Sequence, residues 1–415
     1  MTAEATALRH HAMDALRAFA LLLGVFFHAA ESFCPERWSW AIVDVRAHWI
    51  AAFFQHTVHS FRMPLFFVMA GFFAHMLIQQ RGVRRFATQR LQRVALPFVL
   101  GWLLIVPLGV LLWIAGSQMS GQYPALAAYL RIDAPEDAGA LRATWDYYRS
   151  GAALREGFTL GHLWFLNQLI HLYLIFLILR GVGALLQERG FPLTGTLDTA
   201  FAWALRSGTL LPLLAALVTL PILAMNGSVS TPNNTLLPPP EVTCTYAVCF
   251  ALGWLLHRQP ALLPQVGTNW VGLLLGGFTL AVVGQWSGGL PAWLGTDSET
   301  ARFGLVRSFV QGLTMWCLVF GFIGLFQRFA NTGNRTWRYL ADASYWIYLV
   351  HIPLVVALQL LVWELDVHGG LKYAAIMATS LPILVLSYHY LVRATTIGVL
   401  LNGQRLLRAW PWSAA

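Results

Sequence analysis

MDALRAFALLLGVFFHAAESF, residues 13–33, is an apolar run of helical length that still holds Asp14, Arg17 and His28. A run this long crosses the ~30 Å hydrocarbon layer of a bilayer as one α-helix. An Arg at mid-bilayer costs about 2.5–3.5 kcal/mol on the insertion scale, so each ionisable group in such a span is a functional hypothesis. Arg17 and His28 are eleven positions apart. That is close to three turns, which puts both on one face, ~16 Å apart along the axis. Asp14 stands three positions before Arg17 and shares its region. The plainer reading is a snorkelling Arg with its head in the headgroups and a hydrogen-bonded packing His. The sharper one is an anion contact at the inner mouth and a general base deeper in.

The composition extends this reading to the whole chain. Of 415 residues, 57% are hydrophobic and 11% are charged, and mean hydropathy is +0.60. These values exclude a disordered chain, a disulfide scaffold and an ordinary soluble enzyme. Ten apolar stretches follow one another, at 14–33, 57–78, 94–115, 160–179, 208–225, 242–256, 267–286, 303–326, 343–363 and 372–392, the sixth of them short. The expected fold class is an all-α integral membrane protein of about ten transmembrane helices, with residues 1–415 as a single polytopic domain. Ten crossings put both termini on one side. With the termini cytoplasmic, 17 of the cations fall in inner segments and 8 in outer ones, as the positive-inside rule requires. The net charge of +9 is therefore a topology signal and not a nucleic-acid footprint, since the arginines lie in short clusters between apolar runs. The first run follows Arg9 and Arg17 without an A-x-A site, so it reads as a membrane span and not as a cleaved signal.

Cys34, Cys244, Cys249 and Cys317 form no CxxC and no disulfide framework, and packing is their expected role. The outer connection 117–158 is the longest and carries acids, arginines and several tyrosines. The stretch NGSVSTPNNTLLPPPE (226–241) reads as a turn-rich connector. No internal repeat and no G-x-x-x-x-G-K-[ST] occurs, which argues against a nucleotide-driven pump.

Further ionisable groups sit inside spans. QHTVHSFRMPLFFVMAGFF (55–73) steps His56, His59 and Arg62 along one helix face; HxxH with no third ligand nearby does not make a metal site, and no metal is expected. RGVRRFATQRLQRVALP (81–97) holds Arg81, Arg84, Arg85, Arg90 and Arg93. Arg90 and Arg93 project together, either as a topology anchor on lipid phosphates or as a clamp for a soluble phosphorylated ligand. GHLWFLNQLIHLYL (161–174) opens with His162 and Trp164, the latter expected at the interface. In ADASYWIYLVHIPLVV (341–356), Ser344, Tyr348 and His351 fall on one side, and Pro353 predicts a kink. His389 and Arg307 fit interhelical glue and interface anchoring as well as they fit function. Arginines toward the inner side with histidines deeper suit a reaction on an anionic, already activated substrate.

These blocks resemble the membrane acyltransferase 3 family, and within it the osmoregulated periplasmic glucan succinyltransferases. DALRAFALLLGVFFH is similar to the family's Arg, ten residues, His motif, at Arg17 and His28. HSFRMPLFFVMAGFF, RLQRVALP with Arg90, Arg93 and Pro97, HLWFL and SYWIYLVHIPL match further blocks in order, from the first span to the ninth. The resemblance implies an enzyme of the bacterial cytoplasmic (inner) membrane with no permanently bound cofactor. It implies acyl-CoA, with succinyl-CoA the best guess, as donor, and a periplasmic β-glucan or other glycan as acceptor. By that likeness His28 is the catalytic base and Arg17, Arg90 and Arg93 serve acyl-CoA. Asp14, His59, Arg62, Ser344 and His351 are the supporting or transition-state candidates. Relatives have an important acid in the first outer loop, for which Glu31, Glu36 and Asp44 all remain open. Two other classes compete, an organic-anion or glycan transporter and a non-catalytic scaffold; O-acetylation of another envelope polysaccharide is the nearest enzymatic alternative.

Overall fold

A computed structural model of the chain describes residues 11–35, 40–155, 158–191, 193–286 and 301–411. Among these residues the protein is helical, without strands. The elements are α1 (His11–Ala30), α2 (Trp49–Arg90), α3 (Leu96–Leu104), α4 (Val106–Met119), α5 (Tyr123–Leu130), α6 (Ala140–Arg149), α7 (Ala152–Arg155) and α8 (Trp164–Glu188). They continue with α9 (Leu193–Arg206), α10 (Leu210–Ala224), α11 (Pro240–Arg258), α12 (Trp270–Trp286), α13 (Ala301–Phe329), α14 (Arg335–Val362), α15 (Gly369–Ser387) and α16 (Thr396–Asn402).

Every apolar stretch of the sequence lies on a helix. Among the described residues, six helical segments are long and apolar enough to cross a membrane, or seven if α9 and α10, bent by 114° at their junction, make one span. The membrane class therefore stands, and ten crossings exceed what length and composition alone support. The short sixth stretch lengthens at both ends into α11. The expected kink at Pro353 does not interrupt α14, which continues through it. The connection 117–158 is not an open loop: α5, α6 and α7 form there, with Tyr123 and Tyr147 buried. Residues 226–239 do stay irregular between α10 and α11. Leu103, Leu104, Leu174, Ile178, Leu217, Leu220 and Leu275 are exposed, apolar surface that suits lipid and would be an aggregation liability in water. Trp164 departs from the interface role: it is buried and stacks on Tyr246 at 5.8 Å. Cys249 packs in the core, whereas Cys244 is exposed.

α1 is the hub. It packs on α14, α2, α13 and α15, and its buried Ala12, Ala15, Ala18, Ala20, Ala29 and Ala30 let neighbouring backbones come close. Glycine does the same between α2 and α11. A Cβ on Gly71 would sit 1.9 Å from the Phe250 carbonyl oxygen, and one on Gly253 would sit 1.7 Å from that of Val68. Gly82, at φ 77°, breaks α2 before its basic end. A π-helical turn, Leu91–Ala95, then carries Arg93 into α3.

The segment after α1 is pinned by charge. Lys372 of α15 donates to Asp44 Oδ1 at 2.5 Å, with side chains 3% and 1% exposed, and also to the carbonyls of Leu365 at 2.8 Å and Trp363 at 3.3 Å. Lys372 is thus a buried structural partner of the segment after α1. Breaking a buried pair strands the remaining charge, typically at about 3–5 kcal/mol. Lys372→Met should accordingly lower the melting temperature and yield of the detergent-solubilised protein, and Asp44→Leu combined with Lys372→Met should recover most of the loss. A single variant as stable as wild type would contradict a buried ionised pair.

Candidate functional site

Ring contacts gather residues from four regions at one end of α1. The His28 imidazole stacks on Trp40, centroids 5.7 Å apart at 10°, and meets the His351 ring of α14 at 5.2 Å. Its Nδ1 is 3.7 Å from Glu31 Oε1. His351 in turn lies 5.5 Å from His162, at the head of α8. His162 Nε2 is 3.0 Å from the Leu349 carbonyl, and Tyr348 donates its hydroxyl to the His162 carbonyl at 2.8 Å. Three imidazoles from α1, α14 and the entry to α8 thus form a row.

The last carbonyls of a helix have no partner within it. In α1 they are met by the Gln359 amide of α14, which donates to His28 O at 2.9 Å and Ala29 O at 3.2 Å. Its oxygen accepts from Trp40 Nε1 at 2.9 Å. One buried amide therefore fixes both the backbone of His28 and the indole stacked on its ring.

Arg62 enters the same region from α2. Its guanidinium lies over the Phe27 ring at 4.6 Å; the residue is 9% exposed, and its Nε has no hydrogen-bond partner among the described residues. Gly24 makes the room, since a Cβ there would stand 2.6 Å from Arg62 Nη1. His59 stacks on Phe27 at 5.9 Å, with Nε2 2.7 Å from the Val229 carbonyl. His59 is thus committed to the 226–239 connector, and Arg62 is the better placed cationic donor. Ser344 does not join the group: its hydroxyl bonds back to the Ala341 carbonyl at 2.9 Å.

Geometry separates two of the three candidate acids, Glu31 and Asp44. Asp44 is taken up by Lys372, and Glu36 lies outside the described residues. Glu31 is buried and stands against the His28 ring. At 3.7 Å from Nδ1, its carboxylate is a charge partner for the His28 ring.

The arginines of the resemblance collect at the opposite end of α1. Arg17 pairs with Asp14 at 3.4 Å and lies over Phe73 at 5.5 Å. Arg90 lies over Phe86 at 5.4 Å and Tyr173 at 5.5 Å and donates weakly to the Tyr173 hydroxyl at 3.4 Å. Arg93 donates twice to the Leu401 carbonyl of α16, at 3.1 and 2.8 Å, so it anchors the C-terminal segment as well as adding charge. Arg17, Arg81 and Arg90 all act electrostatically on Arg93. Among the described residues neither Arg90 nor Arg93 pairs with a carboxylate, which leaves a cationic mouth. His389 is the interhelical contact it was weighed as: it hydrogen-bonds Tyr339 at 3.1 Å and stacks on Trp410 at 3.8 Å. Trp40, Gln359 and Gly24 escaped the sequence reading, because a Trp, a Gln and a Gly near helix ends carry no signal of their own.

Residues 10–389 match the family model described as an acyltransferase domain, so the chain belongs to that acyltransferase family. Among curated proteins it is 26% identical over 358 residues to "Glucans biosynthesis protein C" of Salmonella schwarzengrund (strain CVM19633), covering 84% of this chain and 83% of the relative. It is 27% identical over 361 residues, with the same shares of each chain, to the protein of that name from Salmonella dublin. No solved structure gave a significant match.

Glu31→Gln keeps the shape of the side chain and removes the charge facing His28. It should lower acyl transfer on the order of 10²-fold, as expected when an imidazole loses its orienting carboxylate, with protein abundance unchanged. Asp44→Asn should instead reduce abundance, measured by immunoblot of membranes beside the activity assay.

Proposed function

Proceeding from membership of the acyltransferase family, we propose that this chain transfers an acyl group, succinyl in the best-supported reading, from cytoplasmic acyl-CoA to hydroxyls of a periplasmic glucan. The observation that carries the reading is the polarity of α1. A cationic mouth with Arg90 and Arg93, neither paired with a carboxylate among the described residues, lies at one end, and His28 with Glu31 and Arg62 at the other. In this reading the chain is a multi-pass protein of the bacterial inner membrane, crosses it ten times and keeps both termini in the cytoplasm. The glucan assignment draws on the relatives named for glucan biosynthesis.

A thioester is already activated, so the chemistry asks for a base, an oxyanion partner and positioning. The phosphates of CoA dock against Arg17, Arg90 and Arg93; guanidinium forks suit phosphate recognition. The pantetheine arm spans the ~16 Å that eleven helical residues provide. A sugar hydroxyl then attacks the thioester carbon while His28 Nε2 takes its proton, near the pH at which a neutral imidazole works best. The developing oxyanion receives hydrogen bonds from Arg62, inside a site where such donors count for more than in water. Collapse re-forms the carbonyl and breaks the C–S bond. The thiolate of CoA leaves and takes the proton from His28, so ester and free thiol are the products and the enzyme is unchanged.

Mass spectrometry of periplasmic glucans tests this, in cells deleted for the gene and carrying either the wild type or His28→Ala. A succinyl increment present with wild type and absent with His28→Ala is expected. Identical glucan masses, with both proteins present in the membrane, would remove the glucan assignment and direct the search to acetyl groups on other envelope polysaccharides.

A further inference from the structure

His351 is 2% exposed, in the middle of α14, and resembles a packing histidine until its hydrogen bonds are examined. Its Nδ1 lies 2.7 Å from the Tyr348 carbonyl and 3.1 Å from that of Ile347. Carbonyl oxygens only accept, so Nδ1 carries the hydrogen and donates. A neutral imidazole has one N–H, so Nε2 is an acceptor lone pair. Among the described residues no donor reaches it. Buried polar atoms are nearly always satisfied, and one that is not calls for a reason.

The neighbours of that nitrogen narrow the chemistry. The His28 ring is at 5.2 Å and the His162 ring at 5.5 Å. His162 has Nε2 committed to the Leu349 carbonyl. The Tyr348 hydroxyl, on the same helix face, is spent on the His162 carbonyl. The unused lone pair belongs to a ring that stands between His28 and His162, beside the imidazole assigned to deprotonate the acceptor. Around the reacting carbon, a thioester presents a carbonyl oxygen and a sulfur, neither of which donates, and a carboxylated acyl group would add further acceptors. A sugar presents hydroxyl donors.

We infer that His351 is a substrate-binding residue for the acceptor: its Nε2 accepts a hydrogen bond from a hydroxyl adjacent to the one that His28 deprotonates. The two imidazoles then read neighbouring hydroxyls of one sugar ring, His28 by taking a proton and His351 by holding one without transfer. The same lone pair repels the acceptor-only acyl end of the donor and so helps keep the two substrates in their places. This inference rests on the acyl-transfer reading above.

The test is steady-state kinetics of the purified full-length protein in lipid nanodiscs, with succinyl-CoA and isolated periplasmic glucans as substrates. His351→Asn retains a donor at the Nδ1 position for the Tyr348 carbonyl and deletes the lone pair at the Nε2 position. The KM for glucan should rise about tenfold, the factor that corresponds to loss of one hydrogen bond of about 1.4 kcal/mol, while the KM for succinyl-CoA moves far less. His351→Gln, whose Oε1 reaches the Nε2 position, should recover part of the glucan affinity. Melting temperature, measured on each variant, separates these effects from misfolding. An Asn variant with the wild-type glucan KM overturns the inference. So does a loss carried by kcat alone, or one that Gln does not relieve in a folded protein. A wild type that transfers nothing overturns the underlying reading and this inference with it, whereas a working wild type beside an unaffected Asn variant overturns this inference alone.

Discussion

Placing imidazole and guanidinium groups inside an apolar bundle is stable only where the protein supplies what water would have supplied, and the Gln359 amide shows how that condition organises the structure. Two donors and one acceptor of a single side chain close the end of α1, hold Trp40 and join both to α14. Without such closure, the carbonyls of His28 and Ala29 would face hydrocarbon. The hub position of α1 follows from the same condition. Its alanines bring neighbouring helices near enough that short polar side chains on them can reach its polar face.

Charge is treated differently at the two ends of that helix. Toward its N-terminal end, Arg17, Arg90 and Arg93 are held by aromatic faces and a backbone carbonyl, partners that orient a guanidinium without cancelling its charge. Arg17 alone has a carboxylate, the partly exposed Asp14. Toward the C-terminal end, the carboxylate of Glu31 is set against an imidazole and the guanidinium of Arg62 lies over Phe27. Uncancelled positive charge is thereby kept at one end of the helix, and a carboxylate beside an imidazole at the other.

Much of this was legible because periodicity survives in an isolated sequence. The eleven-residue step from Arg17 to His28 and the three-residue steps through His59 and Arg62 fix faces regardless of tertiary structure. The same arithmetic put Ser344, Tyr348 and His351 together, and there it gave less. A shared face does not say which side chains are spent on their own helix, and Ser344 is. Nor does spacing reveal that Arg93 is anchored to α16, or that Trp164 is a core residue. Those depend on which helices become neighbours. Gln359 lies 331 positions from the backbone it completes, and no local pattern announces such a bond.

The first outer segment shows why composition could not choose the acid. Glu31, Glu36 and Asp44 are chemically near-equivalent, and the sequence places all three after the same helix. What separates Asp44 from Glu31 is a cation on another element. Lys372 holds Asp44 inside the protein at 2.5 Å, and a carboxylate tied to that cation is not free to orient an imidazole. By fixing the segment that follows Trp40, that ion pair also supports the indole over His28. The salt bridge thus takes Asp44 for structure, while Glu31, three residues from His28 on the same helical path, stands beside the ring at 3.7 Å.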